Sequence, residues 1–582
     1  MIRIRNQVLV ILGILLAVGS LEAQTAKSAQ NESSTEPWWK GAVIYEIYPR
    51  SFQDSNNDGV GDLNGITQRL DYLKTLGVDA IWLTPIYPSP QVDFGYDISN
   101  YKDIDPRYGT LRDFDRLVAE AKKRNIRIIM DLVMNHTSDR HPWFIASRSS
   151  KTDPKRDWYV WRDGKGPSQP PNNWQSLFGH SAWQFGAKTN QYYYHKFYIQ
   201  QPDLNWANPA VRHAMYDVAR FWIDRGVAGF RLDAITTLFE DPRLRDEKPI
   251  TDASGKSSVN AYGDISLNDD LTNNLPEVHD VLRDLRKVTD SYKGRNVLLI
   301  GETYLDSIRD LAQMYGAKND ELQLPMDMQI GFINKLDVNL FRKRIDEVEN
   351  EVNGNEPLIV FDNHDNPRWE RYGDGVHNQN IGRVLATILF ATRDSALFYY
   401  GDEIGMVTTP PTRKEDVKDP IGITGWPKEK GRDGERTPMQ WSSAPNAGFT
   451  GSAVQPWLPI PPSYKTANVS SEEADSNSML SWYRQLVELR HNNPALRSGN
   501  NVMLNTSDNT VLAWMRQVPG GPAVVVACNF TAQPQKFRFD LSTTGITSRH
   551  VTTLMETPGS AFPSSLDDVL LPPFGVYIGQ VQ

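Results

Sequence analysis

The sequence predicts an α/β protein whose main part is a parallel (β/α)8 barrel. Four hydrophobic segments, at 126–130, 229–233, 297–301 and 357–361, end in charged or polar residues and are separated by helical patterns. Strands that are hydrophobic along their whole length are typical of parallel sheets buried on both faces. In a barrel of this type, the TIM barrel, the C-terminal ends of the strands meet at one face and carry the catalytic groups. We therefore expect these four ends to converge.

Strands and helices alternate along the rest of this region. Further strands are predicted at 42–48, at 80–83 and at 396–400, so that seven segments are named for the eight strands of the barrel. Amphipathic helices stand between the strands and after the last one, at 66–76, 111–123, 211–224, 278–292, 332–349, 380–393 and 478–491.

Two regions depart from the barrel pattern. Residues 137–205 are rich in Trp, Tyr, Pro, Asn and Gly and are too long for a simple loop, which predicts a loop-rich subdomain inserted after strand 3. From residue 496 to residue 582, short alternating strands separated by turns indicate an antiparallel β domain. The barrel itself is then expected at 38–136 and 206–495.

The first residues have the layout of a signal peptide. Arg3 and Arg5 precede an apolar run at 8–18, and small residues follow up to residue 23. Because this run is shorter than the roughly 20 residues of a membrane span, we expect export to the periplasm or the extracellular space, with a retained anchor as the alternative. Residues 24–37 are polar and predict a disordered lead. The single cysteine, Cys528, excludes an internal disulfide.

The composition limits the partners of the protein. A net charge of −9 argues against nucleic acid, which requires a basic face. The 16 Trp and 23 Tyr residues are compatible with sugar binding without being specific for it. The oligomeric state is left open by the sequence.

A loop after the first strand predicts a calcium site. Oxygen-bearing side chains alternate along 54–62, and a glycine permits a sharp turn, as at the start of an EF-hand loop. The loop departs from an EF-hand because no Glu stands at the twelfth position and a strand precedes it. The expected Ca²⁺ ligands are Asp54, Asn56, Asp58, Asp62 and the carbonyl oxygen of Val60.

Arg231 and Asp233 form the centre of the predicted active site. Residues two apart on a strand point to the same side, so the guanidinium and the carboxylate are neighbours. A structural ion pair is the simpler interpretation of one such pair. The three other strands ending in Asp, Glu or His favour a catalytic constellation instead.

Several motifs of the chain resemble the retaining α-amylase family of glycoside hydrolases, glycoside hydrolase family 13. Four of them lie at the C-terminal ends of predicted barrel strands, at 131–136 (DLVMNH), 229–233 (GFRLD), 301–303 (GET) and 361–365 (FDNHD). Two others, at 201–205 (QPDLN) and 436–441 (RTPMQW), are similar to the oligo-1,6-glucosidase and α-glucosidase branch of that family. The match extends from about residue 38 to the end of the chain.

This resemblance implies three catalytic carboxyl groups: Asp233 as the nucleophile, Glu302 as the general acid and base, and Asp365 as the group that stabilises the transition state. A retaining glycosidase needs an ionised carboxylate below the anomeric carbon and a protonated carboxyl group beside the leaving oxygen. We expect Arg231 to keep Asp233 ionised at neutral pH, and the neighbouring carboxylates to keep Glu302 protonated.

The resemblance also implies a pocket for one terminal glucosyl unit. Its expected substrate-binding residues are Asp93, Tyr96, His136, Phe178, Phe197, Arg231, His364 and Arg436. Among these, the pair of Asp93 and Arg436 is expected to close the pocket, so that a polymer cannot pass through. Phe178 and Phe197 are expected at the entrance.

We therefore predict an exo-acting α-glucosidase for maltose and short oligosaccharides with α-1,4 links, which also transfers glucosyl units to other sugars. Ala234 stands where this branch has Val in α-1,6-acting members and Thr in α-1,4-acting members, so α-1,6 links and sucrose stay open. The main alternative is a synthase that forms trehalose or isomaltulose. An amylase that acts within long chains and a non-catalytic relative, such as a transporter heavy chain or a receptor, are further alternatives.

Overall fold

The computed structural model describes residues 36–166, 169–560 and 563–582. The predicted signal peptide and residues 24–35 of the predicted lead lie outside the described residues. From Gly41 onward the described chain forms one compact unit. Among the helices of the described residues, none combines the length and the apolar character that crossing a membrane requires.

Eighteen strands are present in the described residues. In chain order they are β1 (Val43–Ile47), β2 (Ala80–Leu83), β3 (Arg127–Val133), β4 (Trp161–Arg162), β5 (Trp183–Gly186), β6 (Gln191–Tyr194), β7 (Gly229–Asp233), β8 (Leu298–Gly301), β9 (Leu324–Asp327), β10 (Leu358–Val360), β11 (Ser395–Tyr399), β12 (Asn500–Leu504), β13 (Val511–Gln517), β14 (Ala523–Asn529), β15 (Gln535–Phe537), β16 (Val551–Glu556), β17 (Val569–Leu571) and β18 (Val576–Val581).

Eight of these strands close into a parallel barrel in the order β1-β11-β10-β9-β8-β7-β3-β2. This confirms the predicted fold class. Seven strands lie where the sequence places them, but the sequence analysis named no segment for β9. That strand has only four residues and contains Pro325, which cannot donate a ladder hydrogen bond and therefore weakens the strand pattern.

The α-helices surround the barrel and occupy its loops, at Pro49–Phe52, Leu63–Gln68, Leu70–Leu76, Leu111–Lys123, Pro142–Ser147, Pro209–Asp224, Glu277–Asp290, Ile308–Gln313, Val338–Glu351, Asn378–Ala391, Pro420–Gly425, Val469–Glu472, Met479–Asn492 and Pro494–Ser498. Local sequence sets their starts. Thr110, for example, forms a capping box with Asp113 at the start of Leu111–Lys123. The helix expected at 66–76 is two helices that meet at Arg69.

The region inserted after β3 carries a small antiparallel sheet in the order β4-β6-β5. It has a core of its own, built around Trp174, Trp183 and Tyr194. One isolated bridge, between His136 and Asp203, joins it to the barrel face, and another, between Tyr159 and Leu204, lies within the region itself. The first bridge places the segment around Asp203 beside the C-terminal end of β3.

The C-terminal part of the chain is an antiparallel sheet in the order β12-β13-β14-β18-β16, with β15 and β17 paired beside it. One face forms its own core, and the other packs on the barrel helices. Trp514 and Arg516 both donate hydrogen bonds to the carbonyl oxygen of Ala391, at the end of a barrel helix. The buried Cys528 lies within β14 and is a free thiol.

Candidate active site

A fully buried arginine stands at the centre of the barrel's C-terminal face. Arg231 Nη1 donates to Asp233 Oδ1 at 2.5 Å and to Asp131 Oδ1 at 3.1 Å, and its Nη2 donates to Glu302 Oε1. The register of the parallel strands explains the arrangement, because Asp131 on β3 is paired with Arg231 on β7. Asp233 lies two residues further along β7 and on the same side. Glu302 follows β8 directly.

The residue after Asp233 helps to hold Glu302. Ala234 has φ of 47°, in the left-handed region that non-glycine residues rarely adopt. Its backbone N–H donates to Glu302 Oε2 at 2.8 Å. Glu302 is therefore held through both carboxyl oxygens, one by Arg231 and the other by this strained turn.

Asp365 stands in a different electrostatic environment. Its Oδ1 accepts hydrogen bonds from Arg432 Nη1 at 2.9 Å and from Arg436 Nη2 at 2.7 Å, and its Oδ2 lies 3.3 Å from His364 Nε2. Burial alone would raise the pKa of Asp365, but His364 and the two arginines lower it well below its usual range. Asp365 is therefore an ionised carboxylate at neutral pH.

The pKa values of Asp233 and Glu302 shift in the opposite direction to that of Asp365. Burial raises the pKa of Glu302 to about 7; the charges of Asp233 and Asp365 add to this rise, and Arg231 opposes it. This agrees with the expected protonated acid, although burial rather than crowding is the main cause. Burial also raises the pKa of Asp233 to about 7 against the effect of Arg231. Arg231 therefore opposes the effect of burial on the pKa of Asp233 without cancelling it, and the expectation that Asp233 is ionised at neutral pH stays a prediction.

Tyr96 and His364 form a stacked layer beside these carboxyl groups. Their rings are nearly parallel, with centroids 5.4 Å apart, and Tyr96 Oη lies 2.7 Å from His364 Nε2. Tyr96 also donates to Asp131 Oδ2 at 3.0 Å. His364 Nδ1 lies 2.6 Å from Glu46 Oε1 on β1. Because both ring nitrogens of His364 have protein partners, this histidine orients its neighbours from behind the cavity wall.

The cavity above these groups has a volume of about 430 Å³. Eight of the predicted site residues line it: Asp93, Tyr96, His136, Phe178, Phe197, Asp233, Glu302 and Asp365. The three remaining predicted residues do not line it, and are Arg231, His364 and Arg436. Each of the three is hydrogen-bonded to a residue that does line it, and their expected contact with the sugar stays a prediction.

The arginine paired with Asp93 in the cavity wall differs from the predicted one. Arg432 Nη2 donates to Asp93 Oδ1 at 2.7 Å, and Arg432 Nε donates to the buried Asp419 Oδ2 at 2.8 Å. Arg436 instead donates through its Nε to the carbonyl oxygen of His364 at 2.7 Å. The predicted pair of Asp93 and Arg436 is therefore wrong. Both arginines belong to the same loop segment, and only the fold decides which of them reaches Asp93.

A second set of contacts ties the inserted region to the same wall of the cavity. Gln201 Nε2 lies 3.2 Å from Asp93 Oδ2 and 3.1 Å from His136 Nε2. Asn135 Nδ2 donates to Asp203 Oδ2 at 3.0 Å. The segment 201–205 of the inserted region is thus tied to the strand end that carries His136.

Two phenylalanine rings line the cavity. Phe178 stacks on Tyr198 with ring centroids 4.3 Å apart and lies 5.7 Å from the guanidinium carbon of Arg432. Phe197 lies 5.0 Å from the ring of His136. Both residues thus belong to the cavity wall, and their expected place at its entrance stays a prediction.

Sequence reasoning missed several residues of the site, namely Glu46, Asp131, Gln201, Tyr304, Asp419 and Arg432 as a direct partner of Asp93. One signal could have revealed Glu46, because a charged residue in the middle of a buried strand needs a partner. The position of Asp419 carries no such signal, since it lies in a long irregular loop.

The predicted calcium loop is held by its own hydrogen bonds. Asp54 Oδ1 accepts from the backbone N–H of Asn57 at 2.7 Å, and Asp62 Oδ2 accepts from that of Ser55 at 2.8 Å. Asn56 Nδ2 donates to Asp58 Oδ2 at 3.1 Å. Across the described residues, no three His, Cys, Asp or Glu side chains are grouped closely enough to hold a metal ion. The predicted metal ligands of the loop are all oxygen atoms, which is the ligand type that Ca²⁺ prefers.

Comparisons with known proteins agree with this geometry. Residues 46–499 match the family described as alpha amylase, catalytic domain. A probable alpha-glucosidase of Rhizobium meliloti (strain 1021) is 44% identical over 491 residues, which cover 82% of this chain and 87% of the relative. An oligo-1,6-glucosidase of Parageobacillus thermoglucosidasius is 38% identical over 538 residues, which cover 86% and 92%.

Solved structures give the same result. The crystal structure of an alpha-glucosyl transfer enzyme matches with a TM-score of 0.85 and 38% identity, covering 94% of this chain and 100% of that one. An isomaltulose synthase from Klebsiella sp. LX3 matches with a TM-score of 0.85, 36% identity and the same coverage. With the barrel, its buried carboxyl groups and these matches together, the chain belongs to the α-amylase family of glycoside hydrolases, in the branch of the oligo-1,6-glucosidases and α-glucosidases.

Proposed function

We propose that this protein is an exo-acting, retaining α-glucosidase that hydrolyses the terminal non-reducing glucosyl unit of maltose and short α-1,4-linked oligosaccharides. The observation that carries the proposal is the cavity lined by Asp233 and Glu302, whose wall also contains the ion pair of Asp93 and Arg432. We infer that this pair closes one side of the cavity, which would then admit a chain end, whereas attack within a polymer requires an open cleft. The names of the most similar relatives support the substrate class.

The mechanism assigns Asp233 as the nucleophile. Its attack on the anomeric carbon forms a covalent glucosyl ester while Glu302 donates a proton to the leaving oxygen. Glu302, now a carboxylate, then removes a proton from water, which opens the ester and releases glucose as the α-anomer. Because both carboxyl groups are bonded to one guanidinium, that of Arg231, their separation is fixed by one rigid planar group.

Asp365 stabilises the charged transition state, and the side chains that surround it keep it ionised. The pKa of Asp365 lies well below its usual range because of His364, Arg432 and Arg436, so its negative charge is permanent. An oxocarbenium-like transition state carries positive charge on the sugar ring. A fixed anion near that ring lowers the barrier without any rearrangement during the reaction.

A synthase that forms trehalose or isomaltulose is the second candidate. Its support is that the similar solved structures include trehalulose and isomaltulose synthases at 34–36% identity. Hydrolysis and isomerisation share the glucosyl ester and differ in the group that attacks it, water or a sugar hydroxyl. The residues of the cavity floor suit both reactions.

Product analysis separates these two functions. We expect the enzyme to release glucose from maltose as the α-anomer, visible by proton NMR before mutarotation, and to leave soluble starch almost unchanged. Isomaltose, sucrose and trehalose are tested in parallel to define the linkage. Conversion of maltose to trehalose, or of sucrose to isomaltulose, without net glucose release would favour the synthase. Rapid cleavage of starch into oligosaccharides would contradict the closed cavity.

Azide rescue tests the two catalytic roles. Asp233→Gly and Glu302→Ala should each lower kcat on an aryl α-glucoside by about three or more orders of magnitude. Added azide should rescue both variants with different products: the β-glucosyl azide from Asp233→Gly and the α-glucosyl azide from Glu302→Ala. Exchanged products would reverse the assignment. The exposed Asp540→Gly, in the C-terminal sheet, is the control and should keep full activity.

The pairing of Asp93 with Arg432 predicts different effects for substitutions of two neighbouring arginines. Arg432→Lys breaks the two-sided contact with Asp93 and Asp419, so kcat/KM for maltose should fall and the relative rate on maltoheptaose should rise. Arg436→Lys is the matched control. It should also lower the rate, through Asp365, but should keep the chain-length preference. Equal chain-length preferences for both variants would contradict the proposal that Asp93 and Arg432 close the cavity.

We further propose that the 54–62 loop binds a structural Ca²⁺ ion through Asp54, Asn56, Asp58, Asp62 and the Val60 carbonyl oxygen. Such an ion would neutralise the carboxylates of this loop, and the reaction has no step that uses it. We expect millimolar CaCl₂ to raise the thermal midpoint of EDTA-treated protein in differential scanning fluorimetry. Asp58→Ala should abolish this rise, and MgCl₂ should not replace CaCl₂. An unchanged midpoint with CaCl₂ would refute the site.

Export is proposed on the sequence alone. Arg3 and Arg5 before the apolar run at 8–18 support a signal peptide. Amino-terminal sequencing of the protein secreted by its host would locate the cleavage, which we expect near residue 23.

A further inference from the structure

Glu46 is an acidic residue inside the barrel that no step of the proposed reaction uses. It belongs to β1, a strand whose five residues are all buried, and its side chain has no exposed surface. A carboxyl group in such a position is costly unless it is neutral or paired. Its Oε1 lies 2.6 Å from Nδ1 of His364, whereas its Oε2 has no hydrogen-bond partner within the described residues. The contact with His364 is therefore the one to explain.

The ring of His364 is held in one orientation. The rings of Tyr48 and Tyr96 lie nearly parallel to it, with centroids at 5.8 Å and 5.4 Å and planes inclined by 19° and 2°. Its Nδ1 faces Glu46, and its Nε2 lies 2.7 Å from the Tyr96 hydroxyl and 3.3 Å from Asp365 Oδ2. The two ring nitrogens therefore have separate partners, and the imidazole cannot turn without displacing the tyrosine rings.

The partners of Nε2 show that this nitrogen carries a hydrogen. The Tyr96 hydroxyl has one hydrogen, which it donates to Asp131 Oδ2 at 3.0 Å. Toward His364 it can therefore only accept. Asp365, the other group near Nε2, is an ionised carboxylate and also accepts. Because both neighbours of Nε2 are acceptors, the hydrogen-bond network is complete only when His364 is an Nε2–H donor.

This tautomer requires a donor at Nδ1. A neutral imidazole with hydrogen on Nε2 accepts at Nδ1, so the Glu46 carboxyl group must supply an O–H. The alternative is an ion pair of a Glu46 carboxylate and a His364 imidazolium. That pair would leave a charged Oε2 without a partner in the barrel interior, where such an atom is costly. It would also add a third cation beside Arg432 and Arg436, which are both bonded to Asp365.

The electrostatic environment agrees with an uncharged pair. Burial raises the pKa of Glu46 well above its usual value, against the effect of Arg231. Burial also lowers the pKa of His364 well below its usual value, against the effect of Asp365. The ionisable groups that act on Glu46 from neighbouring elements, besides His364, are Asp131 on β3, Arg231 on β7, Asp365 after β10, and Tyr399 and Tyr400 at the end of β11.

We propose that Glu46 is a positioning residue of the reaction, an uncharged carboxylic acid whose O–H donates to His364 Nδ1 and thereby directs the Nε2–H of His364 toward Asp365. This inference rests on the proposed α-glucosidase function. Asp365 must stay negative to stabilise the positive charge that develops on the sugar ring. An imidazolium beside it would offset that negative charge. A neutral imidazole of fixed tautomer orients Asp365 by hydrogen bonding alone.

Two variants of Glu46 test this role in kinetics. Glu46→Met is similar in length but has no donor, so kcat on an aryl α-glucoside should fall by about 10- to 100-fold, with little change in KM. Glu46→Gln replaces a neutral acid by a neutral amide that still donates to Nδ1. It should therefore restore kcat/KM to within about 5-fold of the wild-type value and keep both limbs of the pH profile of kcat/KM in place.

The same pH profile can contradict the proposal. If Glu46 were a carboxylate, Glu46→Gln would remove a negative charge and so lower the pKa of the neighbouring carboxyl groups. Both limbs would then move to lower pH, by about half a pH unit or more. That shift would overturn the proposal, and so would equal rates for the Glu46→Met and Glu46→Gln variants.

Infrared spectroscopy observes the acid directly and needs no substrate. The difference spectrum of wild type minus Glu46→Gln at neutral pH should contain the carbonyl stretching band of a protonated carboxylic acid. Glu488→Gln, at an exposed position of the helix Met479–Asn492, is the matched control and should show only the loss of a carboxylate band. A carboxylate band in the Glu46→Gln difference spectrum would overturn the proposal. If the protein failed to hydrolyse maltose, the proposed function would fall while this measurement remained valid.

Discussion

The buried guanidinium of Arg231 is the interaction on which the active site depends. One side chain with no exposed surface is bonded to Asp131, Asp233 and Glu302, which come from three different barrel strands. Charges in such an environment are costly unless they are paired, and the loss of one partner leaves the others unpaired. The same planar group therefore both permits three acids to be buried together and fixes their relative positions. Trp82 lies beneath it, with the guanidinium carbon 5.0 Å from the ring centroid.

Around this centre, the protein separates the acidic groups by their electrical environment. Burial raises the pKa of both Asp233 and Glu302 to about 7, whereas Asp365 is held ionised by two arginines and a histidine. This division suits a double displacement, because two groups must exchange protons or bonds during the cycle and the third must only remain charged. The side chains that surround Asp365 are themselves buried and paired, as His364 is with Glu46.

Segments far apart in sequence build the shape of the cavity. Asp93 follows β2, Asp419 and Arg432 belong to the loop after β11, and Phe178 and Phe197 come from the region inserted after β3. Loops at this face of a barrel vary without disturbing the strands, so they set specificity while the carboxyl groups stay in place.

The sequence by itself determined the barrel, the C-terminal sheet and the strand ends that carry Asp233, Glu302 and Asp365, because hydrophobic periodicity and strand-end motifs are local properties of the chain. It could not locate β9, whose proline weakens the strand pattern, or choose between Arg432 and Arg436 as the partner of Asp93. It also could not weigh the effect of Arg231 on the pKa of Asp233 against the effect of burial. Only the tertiary structure decided these points, since contacts between distant loops and the loss of solvent around a charge arise when the whole chain has folded.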